Sequence, residues 1–164
     1  RVQFIGDAGL RIQEDYLRIL RFFRFHAYYG EGEPEREALE ACYAHAAGLK
    51  QLSGERVQAE LLKLVAAPRA GDTLRWMAGD VLGGALGIEV DTEMFGRLEI
   101  AEKRIGITLP AVYRLACFLW PDVNSLAAFA KRLRLSAGAE RLLRIMLMHS
   151  MALMAGMEVA AQKK

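Results

Sequence analysis

The sequence is poor in residues that cross-link small folds or interrupt helices, with two cysteines, four prolines and three histidines among 164 residues. Two cysteines are too few for a disulfide-dense secreted scaffold, and they do not form a closely spaced metal-binding pair. Cys42 and Cys117 both lie in apolar, helix-like surroundings. We therefore expect two reduced core thiols in a cytoplasmic protein.

Long apolar runs and strand-like alternation are also lacking. No stretch approaches the roughly 20 apolar residues that a membrane-spanning helix needs, so we expect no membrane partner. With 53% hydrophobic and 26% charged residues, the composition is that of a globular domain rather than a disordered chain. The one plausible strand fragment is VQFI at residues 2–5.

Helical periodicity runs through almost the whole chain and predicts an all-α bundle or array of about seven to nine helices. Apolar residues three and four positions apart predict a first helix over residues 11–29, ended by Gly30. GDVLGGALG is interpreted as a helix break with a soft boundary near 79–90, giving domains 1–78 and 79–164. The other predicted helices span about 34–47, 54–66, 69–78, 91–104, 109–119, 123–134 and 137–160.

Charge is distributed unevenly, although the net charge is only +2. Residues 31–60 contain three basic and seven acidic side chains, whereas residues 101–164 contain ten basic and four acidic ones. A basic final third indicates contact with a polyanion, and a solvated charged helix face is the alternative. The candidate contact residues are Lys131, Arg132, Arg134, Arg141 and Arg144.

Charged residues crowd the flank of the first predicted helix. Glu14 and Asp15 precede Arg18 by four and three residues, so a continuous helix would place both carboxylates beside that guanidinium. An acceptor beside a donor fork complements the amino group and ring nitrogen of cytosine or adenine, but not the edge of uracil or guanine. Arg21 and Arg24 follow and could neutralise phosphates. The alternative is a set of ordinary surface ion pairs.

Residues 4–30, FIGDAGLRIQEDYLRILRFFRFHAYYG, resemble the neck of class II tRNA nucleotidyltransferases and bacterial poly(A) polymerases. Those enzymes carry a pattern like R-x-I-G-D-P-x-x-R-x-x-E-D-x-x-R-x-x-R-x-x-R-F. LSGERVQAELLKLV at 52–65 is similar to a second element of the family, S-x-E-R-I-x-x-E-L. The chain departs from the pattern at Ala8 and Tyr16, where the family often has proline.

The resemblance implies that the neck is a protein template that pairs with CTP and then ATP. By position, Asp15 and Arg18 would bind the base, Glu14 would orient Arg18, and Arg21 and Arg24 would line the nucleotide pocket. Glu55 and Arg56 would brace the neck from another helix. The implied activity is addition of CCA to tRNA 3′ ends, in contact with tRNA. A poly(A) polymerase, an enzyme adding only A or CC, or a non-enzymatic helical RNA-binding domain remain alternatives.

The family's catalytic head has no counterpart in this sequence. That head carries a Gly-Ser loop and a D-x-D pair of aspartates, and the aspartates hold two magnesium ions; in this sequence Asp72, Asp80 and Asp91 lack that spacing. The resemblance thus implies no catalytic and no metal-binding residue in this chain, with Mg²⁺ bound by a missing head domain. Arg1 falls inside an extended run, so we expect a piece of a longer protein that selects nucleotides but transfers none alone.

Overall fold

The computed structural model describes residues 1–119 and 123–161, with side chains described for 1–119 and 124–149. These residues form helices and no β-strand, which confirms the all-α prediction. Short 3₁₀ segments lie at Ala46–Gln51, Leu115–Phe118 and Val123–Ser125, and a π-helical segment at Ala78–Leu86. The α-helices are α1 (Ala8–Glu14), α2 (Leu17–Tyr29), α3 (Arg36–Ala44), α4 (Gly54–Val65), α5 (Ala70–Met77), α6 (Thr92–Ile105), α7 (Ala111–Arg114), α8 (Leu126–Leu133) and α9 (Ala137–Ala161).

The first helix is broken in two, so the prediction of one helix over 11–29 is wrong. Asp15 has extended backbone, with φ −159° and ψ 105°, and its N–H closes α1 on the carbonyl of Ile12. Its side-chain Oδ1 accepts a hydrogen bond from the N–H of Leu17, 3.1 Å away, at the start of α2. Aspartate commonly satisfies a backbone donor two residues on, which competes with helix continuation.

The segments after α2 depart from prediction at two turns. α3 begins only at Arg36, because the Glu35 carboxylate caps it by accepting from the N–H of Ala38 at 2.8 Å. GDVLGGALG is not a break but a π-helical continuation of α5, which ends where Gly87 adopts φ +64°. Its apolar residues turn inward, and the segment packs against residues 46–51.

The remaining helices agree with the prediction in place, and most of them also agree in length. α4 and α6 match the helices predicted at 54–66 and 91–104, each capped by the side chain of the preceding residue, Ser53 or Asp91. The helices predicted at 109–119 and 123–134 are each part α-helix and part 3₁₀ turn. Residues 2–5 form no strand; the ring of Phe4 instead stacks on Phe22, with centroids 5.4 Å apart.

α2 lies at the centre of the core and packs against both α4 and α5. Its inward face contributes Leu20 and Phe23, both completely buried. One hydrophobic cluster extends from Ile12 to Leu147, so apolar packing runs through both predicted domains. The functional division at residue 78 stays a prediction. Packing of this kind fixes which face of α2 is left at the surface.

A buried ion pair joins the later helices to α4. Arg114 of α7 donates through Nε to Glu102 of α6 at 3.1 Å, and through a terminal nitrogen to the Val65 carbonyl at 2.5 Å. Glu102 also accepts from the N–H of Leu109 at 2.8 Å. Because each charged group has several partners, burial of the pair is compensated. Over the described part of the chain, no helix is long and apolar enough to cross a membrane.

Candidate functional site

The carboxylate of Asp15, at the break between α1 and α2, is held by two donors from different directions. A terminal nitrogen of Arg56 lies 3.0 Å from its Oδ1 and 2.9 Å from its Oδ2. The N–H of Leu17 donates to Oδ1 as well. Arg56 stands in the first turn of α4, so the second sequence element contacts the first directly. Asp15 is 27% exposed and its carboxylate is therefore reachable from solvent.

Arg18 is held from the other side of the same break. One terminal nitrogen lies 2.7 Å from Oε2 of Glu14 and donates to the carbonyl of Arg11 at 2.9 Å. Arg11 also hydrogen-bonds both oxygens of Glu14, at 3.0 and 3.1 Å. The hydrogen bond from Arg11, followed by that from Arg18, lowers the pKa of the Glu14 carboxyl. Glu14 thus contacts Arg18 as its spacing predicts, while the partner of Asp15 is Arg56.

Tyr16, where the family pattern often has proline, anchors the break. Its ring lies directly against the backbone of Gly48 in the 3₁₀ segment: a Cβ added there would sit 2.1 Å from the ring. No side chain with a Cβ fits that position without moving the ring. The contact fixes where α2 starts, and with it the position of Asp15 and Arg18.

Glu60 gathers the basic residues that follow. This α4 carboxylate is almost fully buried, with its Oε2 2.8 Å from Nε of Arg24 and its Oε1 3.8 Å from Nε of Arg21. Lys63 lies 3.5 Å from Oε1. Arg24 is largely enclosed, with its guanidinium 4.3 Å from the ring centre of Phe25, whereas Arg21 is 46% exposed. Arg21 is therefore better placed than Arg24 for a ligand in solvent.

Sequence reasoning assigned no role to Glu60, although a pattern could have found it. Val57, Leu61 and Leu64 are buried positions of α4 at helical spacing, and Glu60 occupies the same face. A carboxylate on a core-facing stripe needs a cationic partner, because burying an unpaired charge is costly. Arg21 and Arg24, at helical spacing on α2, are those partners.

Three of the predicted RNA-contacting residues have a carboxylate or carbonyl partner, and two make no salt bridge with a described residue. Arg132 donates to the carbonyl of Leu49 at 3.4 Å, Arg134 lies 3.9 Å from Glu55, and Arg144 pairs with Glu140 at 3.0 Å. Within the described residues, the exposed Lys131 and Arg141 make no salt bridge. The RNA-contacting role of all five residues stays a prediction.

The start of α4 brings the two predicted sites close together. Gly54 lies under the end of α8, where a Cβ would sit 2.2 Å from the carbonyl oxygen of Arg132. The next two residues of α4 point to different partners: Glu55 to Arg134 and Arg56 to Asp15. Three consecutive residues of α4 therefore contact candidates from both predicted sites.

The described side chains meet neither the requirements of a metal site nor those of a reactive cysteine. They include no cluster of three histidine, cysteine or acidic groups that could hold a metal ion. Burial raises the pKa of the Cys42 thiol to about 12 and is the main cause of the similar rise at Cys117. Such thiols are poor nucleophiles. A cavity of about 640 Å³ is lined by residues 86–91 and parts of α8. None of the predicted nucleotide-binding residues lines this cavity.

The chain is similar to CCA-adding enzymes and to part of polymerase A. Residues 33–81 match a family described as a probable RNA- and SrmB-binding site of polymerase A. Over 122 residues, the chain is 37% identical to CCA tRNA nucleotidyltransferase 1, mitochondrial, of Danio rerio. It is 49% identical over 67 residues to the Homo sapiens protein of that name, and 47% identical over 64 residues to the CCA-adding enzyme of Streptococcus uberis.

These matches cover the relatives only in part. The aligned region is 70% of this chain but 28% of the Danio rerio protein, and it is 15% and 16% of the Homo sapiens and Streptococcus uberis proteins. The family match at 33–81 lies in the acidic part of the chain, and the basic residues from Lys131 to Arg144 fall outside it.

Proposed function

We propose that this chain, which is similar to part of the CCA-adding enzymes and to the polymerase A family matched at residues 33–81, selects CTP and ATP for completing tRNA 3′ ends. One observation carries the proposal. At the break between α1 and α2, an acceptor, Asp15, and a donor fork, Arg18, are each held by separate partners and remain partly exposed. A rigid, accessible donor and acceptor are what reading a base edge requires.

The contacts leave atoms of both residues available for a base. The Asp15 carboxylate accepts from Leu17 and Arg56, and each carboxylate oxygen has two lone pairs, so it can also accept from the amino group of cytosine or adenine. Arg18 is held through one terminal nitrogen, which leaves Nε and the other terminal nitrogen to donate to a ring nitrogen. Uracil and guanine present the opposite pattern, which would place a carbonyl oxygen against the Asp15 carboxylate and an N–H donor against the Arg18 guanidinium.

Arg21 is the proposed phosphate contact, with Arg24 in a supporting position. Glu60 lies near both, but Arg24 is the closer and more enclosed partner. An exposed guanidinium backed by a buried carboxylate keeps its charge and its orientation. We assign contact with the tRNA backbone to the basic residues at the end of α8 and in α9, among which the exposed Lys131 and Arg141 make no salt bridge with a described residue.

Magnesium binding and nucleotidyl transfer are assigned to a part of the protein outside this chain. The described residues do not fit a two-magnesium site, since Asp72 pairs with Arg75 at 3.6 Å and Asp91 caps α6 through Met94. We propose that a head domain outside this chain binds Mg²⁺ and activates the nucleotide. The 164-residue chain alone should then incorporate no labelled ATP or CTP with or without magnesium, and robust incorporation would refute this assignment.

Competition kinetics with all four nucleoside triphosphates test the proposal in the full-length protein. Asp15→Ala and Arg18→Ala should each reduce the preference for CTP and ATP over UTP and GTP by roughly ten- to hundredfold, since each hydrogen bond removed from a shielded site contributes about 1–3 kcal/mol. Arg36→Ala, which removes an exposed ion pair with Glu40, is the matched control. Unchanged preference in both variants, with folding intact, would overturn nucleotide selection by this site.

A poly(A) polymerase is the second candidate, favoured by the description of the family matched at residues 33–81. The same neck chemistry would serve it, because adenine and cytosine share the donor–acceptor edge. Product length on tRNA lacking its 3′ end separates the two. Addition that stops after CCA supports the first candidate, and a long adenylate tail supports the second. No addition by the full-length protein would leave a non-enzymatic RNA-binding domain.

A further inference from the structure

The exposed face of α2 continues beyond the predicted nucleotide site as a stripe of aromatic residues. Arg18, Arg21, Phe25 and Tyr28 recur at steps of three or four residues and therefore share one side of the helix. Phe25 is 42% and Tyr29 71% exposed. The stripe is basic at its beginning and aromatic at its end. We call Phe25, Tyr28 and Tyr29 the aromatic strip.

The rings of the aromatic strip are arranged as a platform. Phe25 and Tyr29 are one helical turn apart, with centroids separated by 6.3 Å and planes inclined by only 28°. The ring of Tyr28 lies 5.9 Å from that of Tyr29. The guanidinium of Arg24 lies 4.3 Å from the centre of the Phe25 ring. Rings and a guanidinium plane in this arrangement are the groups on which nucleic-acid bases stack.

Burial of the opposite face holds the platform in place. Phe22, Phe23 and Ala27 of α2 are in the core, so the helix cannot rotate to hide the aromatic strip. Arg24 is fixed beneath by the buried Glu60. Three neighbouring exposed aromatic residues on a rigid helix form an apolar patch typical of an interaction surface.

We propose that the aromatic strip binds single-stranded RNA by stacking its bases, as the binding place for the 3′ end that receives the selected nucleotide. This inference rests on the proposed function. The charge of this face favours RNA, because Arg21, which is exposed, continues the stripe and can contact a phosphate. From Phe25 to Tyr29 the helix rises about 6 Å. That distance accommodates roughly two stacked nucleotides at about 3.4 Å each.

The turn after α2 contains Glu31 and Glu33 together with the guanidinium of Arg69, which donates to the carbonyls of Gly30 and Gly32. The two carboxylates outnumber this cation, so phosphates are favoured on the Arg21 side of the aromatic strip. A protein surface docking on the aromatic strip is the competing possibility, and it predicts no dependence on bases.

Binding of two short ligands to the full-length protein separates stacking from charge. The probes are an eight-nucleotide oligoadenylate and an abasic ribose-phosphate chain of the same length. We expect the oligoadenylate to bind at least about tenfold more tightly, because base–aromatic stacking contributes roughly five- to hundredfold per base. Equal affinity of the two probes would overturn the proposal without any variant having to fold.

A double variant, Phe25→Leu with Tyr29→Leu, keeps apolar area but removes the rings. It should lose about tenfold or more in oligoadenylate affinity and leave the abasic probe unaffected, while Ile105→Ala, at another exposed apolar residue, should change neither. The stacking proposal is refuted if the double variant binds oligoadenylate as tightly as wild type, whether or not its association with another protein changes. Asp15→Ala serves as the cross-check: retained nucleotide preference there contradicts the proposed function, whereas stacking is judged on oligonucleotide binding alone.

Discussion

Arg56 allows a sharp separation of function from stability. It is the only described side chain whose nitrogen contacts both oxygens of Asp15, at 2.9 and 3.0 Å, and it does so across 41 residues of sequence. Arg56→Ala removes both contacts but leaves the hydrogen bond from the N–H of Leu17 at 3.1 Å. The carboxylate then keeps one anchor and gains rotational freedom.

The two expected effects differ in size. Arg56 is 48% exposed, so solvent screens the pair and its removal should lower the free energy of unfolding by less than about 1 kcal/mol. An acceptor that is no longer fixed loses part of a base-edge hydrogen bond, about 1 kcal/mol or more, which corresponds to roughly fivefold or more in the preference for CTP and ATP. Arg56→Lys keeps the charge without the planar fork and should fall between wild type and Arg56→Ala.

The assay combines competition kinetics with urea unfolding of the same full-length variants. The exposed Arg36→Ala should change neither readout and controls for removal of a surface arginine. An Arg56→Ala variant that folds normally and discriminates as well as wild type would refute a positioning role for this contact. Destabilisation by several kcal/mol would show instead that the pair supports the fold.

Three further predictions concern packing, pH and RNA. Gly54→Ala should destabilise the protein by more than about 1 kcal/mol in urea unfolding, because its Cβ would meet the Arg132 carbonyl, whereas Gly96→Ala in the open part of α6 should be neutral or stabilising. Burial, followed by the charge of Arg69, lowers the pKa of His26, so the folded state binds fewer protons there. The contribution of His26 to the free energy of unfolding should therefore decrease as pH falls below about 6.5. Between about pH 7.5 and 5.5, the His26→Gln variant should lose less stability than wild type. An equal loss in the two proteins contradicts the reasoning. Lys131→Ala and Arg141→Ala replace exposed basic residues of α8 and α9. Each should lower the slope of log affinity for tRNA against log salt concentration by about one unit if it removes a phosphate contact. An unchanged slope favours a solvated face.

Local patterns predicted the helices well where side-chain caps and apolar spacing agree. The helices predicted at 54–66 and 91–104 begin in the structure directly after Ser53 and Asp91, whose side chains cap them. The break at Asp15 was missed because its cause is a choice between two local hydrogen bonds, and helical spacing on either side is uninterrupted. The π-helical segment was missed for a different reason. Its glycines suggest a break, while packing of Val81 and Leu82 into the core keeps it helical.

The candidate site could be predicted residue by residue but not as an arrangement. Glu14 and Arg18 are close in sequence, and their contact follows from spacing. The contacts of Asp15 with Arg56 and of Arg24 with Glu60 join residues from different helices, so they depend on tertiary packing. Helical spacing does not identify which distant cation meets which carboxylate, although the family resemblance implied that Arg56 braces the neck. The nucleotide and RNA roles of these residues stay predictions until the kinetics are measured.

From the close approach of α8 to Gly54 we expect thermodynamic linkage between the end of α8 and Asp15. The carbonyl of Arg132 rests on the backbone of Gly54, and the second residue after it, Arg56, holds Asp15. Any ligand that orders the end of α8 reduces the freedom left to α4, and so lowers the entropy that must be given up when Asp15 is fixed on a base. Linkage of this kind is reciprocal: if RNA bound at α8 tightens nucleotide binding by some factor, the nucleotide tightens RNA binding by the same factor.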